Sequence, residues 1–189
     1  LAEFGGQPGD LKRIVITHAD VDHAGSAAEL QARSGAMVYC GVATAALLAE
    51  GRSPRHMPRP VQFILDHFVR YKAVDRAAIR PVTDGDALPV LGGLRVLAAP
   101  GHTLEQHAFY SQAAGVLFAA DALNTRDGRL QTTPPRITAD RAAAERTAVQ
   151  LLQLSPQVIA CGHGAPLVAD PVAAAGLLAR LAGPTGGKA

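Results

Sequence analysis

The sequence predicts an α/β fold, in which short strands alternate with helices. In the first half, apolar runs of strand length alternate with segments of helical period. Residues 84–119 then carry the short apolar runs and glycine turns of antiparallel strands, and two longer helical segments follow. The predicted strands are residues 14–16, 36–40, 88–97 as a hairpin, 107–111, 115–119 and 158–160, and the predicted helices are residues 26–33, 43–50, 61–73, 140–154 and 171–181.

Local signals set the boundaries of these elements. Ser26 and Glu29 have the spacing of a capping box, which predicts the start of a helix that ends before Gly35. The Gly92-Gly93 pair predicts the turn of a hairpin. Because the chain has 189 residues and no internal repeat, we expect a single domain over residues 1–189.

The composition is that of a soluble globular protein. Hydrophobic residues make up 48% and charged residues 18% of the chain, and the net charge of +2 is too small to predict a nucleic-acid surface. No run approaches the roughly 18 apolar residues of a membrane span, and the first residues lack the pattern of a signal peptide. Cys40 and Cys161 each follow an apolar run, which predicts small buried side chains and gives no reason for a disulfide. We therefore expect a cytoplasmic protein.

Residues 51–80 interrupt the alternation of strands and helices. Three prolines and three arginines within residues 51–60 exclude regular structure there, and residues 61–73 follow with apolar side chains at helical spacing. This segment is interpreted either as a lid beside a pocket or as a surface insertion without a role. Its arginines hint at an anionic substrate, although a solvated basic loop is the preferred interpretation. His56 and His67 are not expected to be ligands, since no cluster of ligand-type residues surrounds them in the sequence.

The hexapeptide His-Ala-Asp-Val-Asp-His, residues 18–23, is the strongest chemical signal. It directly follows the apolar run Ile14-Val15-Ile16, so its side chains fall at a strand end. If the chain stays extended, His18 and Asp20 point to the same side, while Asp22 and His23 lie where the chain turns towards a helix. A solvated polar loop would explain one such pair. Four ligand-type side chains in six positions favour a metal site.

Three later residues repeat this arrangement, each in a turn after an apolar strand. They are His102, Asp121 and His163. Taken singly, each is better explained as an ordinary capping or turn residue. Together with the first cluster, they place four histidines and three aspartates at the ends of four strands, which is where α/β sheets assemble their sites.

The order of these motifs resembles that of the metallo-β-lactamase-fold superfamily of metallohydrolases. That family carries an H-x-H-x-D-H motif, then a Gly-His-Thr turn, a bridging Asp and a late His. The corresponding segments are residues 18–23, Gly101-His102-Thr103, Asp121 and Gly162-His163-Gly164, and the resemblance runs from about residue 11 to residue 166. The resemblance implies a four-layer αββα sandwich.

Four departures from the family pattern stand out. Asp20 replaces the second His of the first motif, Ala120 replaces the Gly before the bridging Asp, and Leu104 stands where a Pro often follows the Gly-His-Thr turn. In addition, only about ten residues precede the first strand, where the family has several strands. We therefore expect a sandwich that lacks some of the N-terminal strands.

Carried over residue by residue, the resemblance implies a dinuclear centre. One ion would take His18, Asp20 and His102, the other would take Asp22, His23 and His163, and Asp121 would bridge them. Zn is the expected metal, with Mn or Fe as alternatives. Because Asp20 adds a negative charge, we expect a less Lewis-acidic first ion and a shift towards metals harder than Zn, so that an Asp20→His variant should load more Zn.

The implied activity is hydrolysis of a small ester or lactone by a hydroxide that bridges the two ions, with Asp22 accepting its proton. Only about 26 residues follow His163, too few for the helical domain by which glyoxalase-II-like members hold a glutathione thioester. No Cys replaces Asp121, as it does in many β-lactamases of this fold. We expect a small-molecule substrate, and the sequence leaves the oligomeric state open, with a homodimer as one option. His107 is interpreted as a surface residue of its strand, with a role in orienting a ligand as the alternative.

Two other functional classes stay open. Flavodiiron-type redox enzymes carry an acid at the position of Asp20 and bind two irons, although no flavin-binding domain follows here. An inactive metal-binding module is the third interpretation, because details of the motifs are altered. Metal content separates the three: two Zn or Mn ions with ester turnover, two irons with oxygen consumption, or no metal.

Overall fold

Two β-sheets with helices on their outer faces make up the protein. The computed structural model describes Glu3, residues 5–168 and residues 170–182, so both ends of the predicted domain 1–189 lie partly outside the described residues. The strands are β1 (Arg13–Ile16), β2 (Met37–Gly41), β3 (Ile79–Val82), β4 (Ala87–Leu88), β5 (Leu94–Ala98), β6 (His107–Ser111), β7 (Val116–Ala120), β8 (Val158–Cys161) and β9 (Leu167–Val168). The α-helices are α1 (Val21–Ala24), α2 (Ala27–Ser34), α3 (Val42–Glu50), α4 (Arg59–Phe68), α5 (Arg141–Gln153) and α6 (Pro171–Ala182).

The first sheet has the strand order β1-β2-β3, and both of its strand pairs are parallel. Parallel neighbours require a crossover connection, which α2 supplies between β1 and β2. Ile14 pairs with Val38 and Ile16 with Cys40 in this register. The chain therefore leaves the carboxyl end of β1 at Thr17, directly before the predicted ligand cluster.

The second sheet has the order β4-β5-β6-β7-β8-β9 and is antiparallel except for the parallel pair of β7 and β8. Leu88 pairs with Leu94 around the Gly92-Gly93 turn, which confirms the predicted hairpin. Helix α5 connects the two parallel strands, so β7 and β8 end at the same edge of the sheet. Asp121 follows one of these strands and His163 the other.

Three apolar clusters separate the four layers. One lies between the first sheet and its helices and includes Val38 and Leu48. A second lies between the two sheets and includes Val96 and Phe109. The third packs the second sheet against α5 and α6 and includes Leu117, together with apolar residues of both helices. The predicted αββα order of layers is thus confirmed.

The capping box predicted at Ser26 is not formed. Its side chain makes no capping hydrogen bond, because Gly25 and Ser26 already have right-handed helical angles that continue α1 into α2. An N-cap side chain needs an extended backbone to reach the next turn. The predicted end of this helix is confirmed, since Gly35 adopts a φ of 68° after Ser34.

The segment between α3 and β3 runs from residue 51 to residue 78. Its helix, α4, ends at Phe68 and not at residue 73, because the chain then returns to α3: the N–H of Tyr71 donates to the carbonyl of Gly51, and that of Val74 to the carbonyl of Leu48. The apolar side chains of α4 are largely exposed, Phe68 by 75%. Whether this segment acts as a lid stays a prediction.

The two cysteines are free, and burial raises the pKa of each thiol to about 12. Among the described residues, no helix has both the length and the apolar composition that a membrane crossing demands.

Candidate metal centre

The structure brings all seven predicted ligands together at the carboxyl ends of four strands. The hexapeptide follows β1, His102 follows β5, Asp121 follows β7, and His163 follows β8. The two sheets are joined at this point, because the N–H of His107 donates to the carbonyl of Thr17 at 2.9 Å.

The first group surrounds Asp20. Its Oδ2 atom lies 3.6 Å from Nε2 of His18 and 3.1 Å from Nε2 of His102. All three residues are buried. Thr17 lies within hydrogen-bond distance of Nδ1 of His18, which leaves Nε2 to face the group. This is the set expected for one ion.

The second group lies nearer the surface. Oδ2 of Asp22 is 3.3 Å from Nε2 of His163 and 3.7 Å from Nε2 of His23. The side chain of Asp22 is 56% exposed, whereas that of Asp20 is only 10% exposed. The two carboxylates of the hexapeptide therefore differ in access to solvent.

Asp121 stands between the two groups. Its Oδ2 atom lies 3.5 Å from Nε2 of His102 and 3.4 Å from Nε2 of His163, while Oδ1 lies 3.3 Å from Nε2 of His23. It thus contacts one histidine of the first group and two of the second. This is the position that a bridging ligand requires.

An irregular strand end directs Asp121 into the cluster. The pairing of β7 with β8 shifts register between Phe118 and Ala120, and Ala120 adopts a φ of 47°. A left-handed alanine is uncommon and carries a cost of roughly 1–2 kcal/mol. Here it stands where the family pattern has Gly. The hydroxyl of Thr133 donates to the carbonyl of Asp121 and holds the turn.

The start of α5 holds the turn that carries His102. The N–H of Ala139 donates to the carbonyl of His102, and that of Asp140 donates to the carbonyl of Gly101. Gly101 has a φ of 148°, and a Cβ atom there would lie 2.5 Å from the backbone nitrogen of Ala144. Only glycine allows this close approach of turn and helix.

Gly162 leaves the room that two ligands occupy. A Cβ atom at this position would overlap Oδ1 of Asp121 and would lie 2.6 Å from Cε1 of His23. The glycine before His163 is therefore part of the cradle in which the carboxylate and the imidazole meet.

The structure also places His56 in the cluster, against the expectation that no ligand-type residues surround it. Its Nε2 atom is 3.2 Å from Oδ2 of Asp20, its side chain is fully buried, and its ring centroid is 4.7 Å from that of His102. His67, in contrast, is exposed on α4 and does not join the cluster. Two nearby arginines pair with acids: Arg55 lies 3.1 Å from Asp66, and Arg52 lies 3.7 Å from Glu50.

The electrostatics of the cluster are dominated by burial and by imidazole–carboxylate contacts. Burial opposes the charged form of Asp20, but the close imidazoles of His102, His18 and His56 hold the pKa of its carboxyl far below the ordinary value. Burial lowers the pKa of His18. For His23, the close negative carboxylate of Asp121 outweighs burial and raises the pKa of the ring. At His56, the carboxylate of Asp20 likewise outweighs burial and raises the pKa of the ring.

The donor set fits a metal centre. Nε2 of His18, Nε2 of His23 and Oδ1 of Asp121 are buried without a hydrogen-bond partner among the described residues. Uncompensated buried polar atoms are costly, and here they converge. An ion with ligands at about 2.0–2.2 Å holds neighbouring donor atoms roughly 3–3.5 Å apart, which is close to the 3.1 to 3.7 Å separations in both groups.

A cavity of about 230 Å³ opens beside the second group. Asp121 and His163 form one wall, and Asn124, Arg126 and Ile137 form others. Larger cavities lie along α5 and α6 and contain none of the clustered side chains. Of these cavities, the one of about 230 Å³ is the one lined by residues of the cluster.

His107 is half-buried and packs at the junction of the two sheets. Its Nδ1 donates to the carbonyl of Glu105 at 2.9 Å, and its ring fills the space beside Gly41, where a Cβ atom would lie 2.5 Å from Nδ1. These contacts give its ring a packing role at the sheet junction, which differs from the surface position that we expected.

Comparison with known proteins agrees with the fold. Residues 1–163 match the profile of the metallo-beta-lactamase superfamily. The probable metallo-hydrolase YflN of Bacillus subtilis is 24% identical over 179 residues, which cover 86% of this chain and 67% of that protein. A hydroxyacylglutathione hydrolase of Rhodobacter capsulatus is 32% identical over 156 residues, which cover 81% of this chain and 48% of that protein.

Among solved structures, a metallo-beta-lactamase family protein of Thermus thermophilus, TTHA1429, superimposes with a TM-score of 0.68 at 28% identity, covering 95% of this chain and 64% of that chain. The chain spans about half the length of the hydroxyacylglutathione hydrolase of R. capsulatus. Members of the family bind metal ions, typically two, and this chain groups histidine and aspartate side chains that could hold a metal. The chain belongs to the metallo-β-lactamase superfamily of metallohydrolases.

Proposed function

We propose that this protein is a hydrolase with two divalent ions at the cluster, one held by His18, Asp20 and His102, the other by Asp22, His23 and His163, with Asp121 between them. The observation that carries the proposal is the position of Asp121, whose two carboxylate oxygens lie 3.3 to 3.5 Å from histidines of both groups. When bound, two such ions acidify a water molecule and polarise the bond to be cleaved.

The charge of the site favours divalent ions. Asp20 and Asp121 are buried carboxylates, and the surrounding imidazoles keep the pKa of both below the ordinary value, so both are ionised at neutral pH. Together with Asp22 they supply three negative charges. The two buried charges require compensation, and two divalent cations supply it with one positive charge left after all three carboxylates are counted.

Asp22 is the residue we assign to proton transfer. Among the carboxylates of the centre, the side chain of Asp22 is the most exposed. Its Oδ2 atom lies 3.3 Å from Nε2 of His163, and His163 lines the cavity. A carboxylate that is reached by substrate and adjacent to the ions can accept a proton from water and pass it to the leaving group. Asp20 and Asp121 are too deeply buried for this role.

The proposed substrate is a small ester or lactone. The cavity of about 230 Å³ admits a small molecule, and Arg126 on its wall would bind a carboxylate or another anionic group of that molecule. Several relatives are named hydroxyacylglutathione hydrolases, so a thioester belongs in any substrate panel. The basic arginines of the 51–58 segment contribute less, since Arg55 is paired with Asp66 and Arg52 lies 3.7 Å from Glu50.

Elemental analysis joined to an activity panel tests the proposal. Protein loaded with Zn, Mn or Fe should hold two ions per chain and turn over one member of a panel of lactones, esters, thioesters and phosphodiesters. A His102→Ala variant should lose one ion and at least about 10²-fold in kcat/KM, whereas His67→Ala, an exposed histidine outside the cluster, should behave as wild type. Wild-type protein that binds no metal would refute the proposal.

A di-iron redox enzyme is the second candidate, and the observation in its favour is the carboxylate of Asp20 in the first group. Two irons per chain together with oxygen consumption in the presence of an electron donor would support it. The Asp20→His variant gives a further comparison of the hydrolase and the redox enzyme, because replacing the carboxylate by an imidazole should shift the metal preference towards Zn.

A further inference from the structure

A third imidazole reaches the carboxylate of Asp20 from outside the family motifs. Nε2 of His56 lies 3.2 Å from Oδ2 of Asp20, at nearly the same distance as Nε2 of His102, which lies 3.1 Å from the same atom. His56 belongs to the Pro-rich segment 51–58 and not to any strand end. The ring of His56 therefore lies as close to the Asp20 carboxylate as the ring of His102 in the first group does.

Hydrogen bonds hold His56 in this position. Oε1 of Gln62 accepts from the N–H groups of both His56 and Met57 at 3.1 Å, and Nε2 of Gln62 donates to Asp66 on the same helix. On the other side, the hydroxyl of Tyr71 donates to the carbonyl of Arg52 at 2.8 Å. The segment is thus fastened at both ends, with the ring between them directed inwards.

The ring of His56 makes its ionic contact with Asp20. Its side chain is fully buried, and neither Nδ1 nor Nε2 has a partner with hydrogen-bond geometry among the described residues. A buried imidazole without partners is costly. Its separation from the Asp20 oxygen is that expected for two donor atoms on a shared ion, roughly 3–3.5 Å. The competing explanation is a simple ion pair between a protonated His56 and Asp20.

We propose that His56 is a ligand of the first ion, completing with His18 and His102 a set of three imidazoles in a chain where Asp20 has taken the place of one. The inference rests on the metal centre proposed above. A neutral imidazole adds a donor without adding charge, so it offsets the loss of a nitrogen ligand that Asp20 causes. It also ties the 51–58 segment to the ion, so that metal binding orders that segment.

Histidine-selective ¹⁵N labelling of the wild-type protein gives a count that needs no variant. The chain has seven histidines, and Zn or Cd should shift the ring nitrogens of five of them, leaving His67 and His107 unchanged. Four shifted rings, with His56 among the unchanged ones, would overturn the inference while leaving the dinuclear centre intact. No shifted ring would overturn both.

Metal affinity of variants gives the second test. His56→Ala and the more conservative His56→Gln should each bind one ion at least about tenfold more weakly in competition with a chromophoric chelator, while the other ion keeps its affinity. His67→Ala is the matched control, because it removes an exposed histidine from α4, the helix that follows the 51–58 segment. Wild-type affinity for both ions in the His56 variants would count against the ligand role and in favour of the ion pair.

Limited trypsin digestion tests the link between metal and segment. Arg55, whose side chain is 73% exposed, precedes His56 directly. Metal should slow cleavage after Arg55 at least about tenfold in wild type and in His67→Ala, and should have no such effect in His56→Ala. Equal protection by metal in His56→Ala and wild type would contradict the proposal.

Discussion

Replacing Gly162 by alanine should damage the metal centre while the protein stays folded. The φ angle of Gly162 lies outside the left-handed region, so the backbone accepts alanine. The added Cβ would overlap Oδ1 of Asp121 and lie 2.6 Å from Cε1 of His23, against the 3.4 Å at which ordinary contact begins. The ring must therefore retreat by most of an ångström, and the carboxylate by more than that.

The size of the effect follows from that displacement. Misplacing a reacting group by about 1 Å costs on the order of 10²-fold in rate, and disturbing the orientation of ligands costs about 10–100-fold in metal affinity. Crowding in a packed interior adds about 1–3 kcal/mol of destabilisation. A domain of ordinary stability, about 5–15 kcal/mol, remains folded after such a loss.

Three measurements check this expectation for Gly162→Ala: chelator competition for metal affinity, kcat/KM on the substrate that the panel identifies, and thermal unfolding of the metal-free protein. Gly9→Ala is the control, because a Cβ at Gly9 has no atom within 4 Å. If Gly162→Ala bound both ions with wild-type affinity, the reasoning that this glycine makes room for Asp121 and His23 would be wrong.

Four further changes have defined outcomes. Ala120→Val should destabilise the protein by about 2 kcal/mol or more in chemical unfolding, because a β-branched residue resists the φ of 47°, whereas Ala120→Gly should change stability by less than about 1 kcal/mol. Tyr71→Phe should cost about 1 kcal/mol of stability and speed tryptic cleavage of the 51–58 segment, since it removes the hydroxyl that holds the segment. Arg126→Ala should raise KM about fivefold for a substrate with a carboxylate and leave a neutral substrate unaffected, and equal effects on both would exclude an anion-binding role. Because the pKa values of His23 and His56 are raised, both rings stay protonated above pH 6.5 in the metal-free protein, where this protonation is stabilising until the pH exceeds the raised pKa values. Metal must displace those protons, so its affinity should fall about tenfold per pH unit for each ring as the pH drops through this range, and calorimetry in buffers of different ionisation enthalpy should detect the released protons.

Much of the fold could be predicted because its signals are local. The apolar run of β1, the glycine pair of the β4–β5 hairpin and Asp140 at the start of α5 each act within a few residues; the side chain of Asp140 accepts from the N–H of Ala143 as an N-cap should. The grouping of the seven predicted ligands could be predicted for the same reason, since each belongs to a segment that follows an apolar strand.

Two strands escaped prediction for physical reasons. Strand β3 contains Pro81, which argues against a central strand, but β3 lies at the edge of the first sheet, where a missing N–H is tolerated. Strand β9 has only two residues, Leu167 and Val168, and is too short to produce a periodic pattern. Both strands form by pairing with a neighbour, β3 with β2 and β9 with β8, and not from a local pattern of their own.

His56 escaped prediction because its environment is made entirely by tertiary contacts. Asp20 lies about 36 residues earlier and His102 about 46 residues later in the chain. Within its own segment, the neighbouring prolines and arginines indicate a solvated loop. Tyr71 and Gln62 reverse that expectation by folding the segment inwards, and each acts through a contact that spacing along the chain cannot reveal.

The assembly of the cluster from distant parts of the chain has a consequence during protein synthesis. The hexapeptide that starts at His18 is made about 145 residues before His163. At about 5–20 residues per second, roughly 7–30 s separate the two. Early in that interval the two imidazoles and two carboxylates of the hexapeptide lack the later ligand-type residues, and such groups bind ions weakly and with loose selectivity. We therefore expect the metal of the proposed centre to be set after β8 has joined the sheet, when exchange with the full ligand set would replace any ion captured earlier.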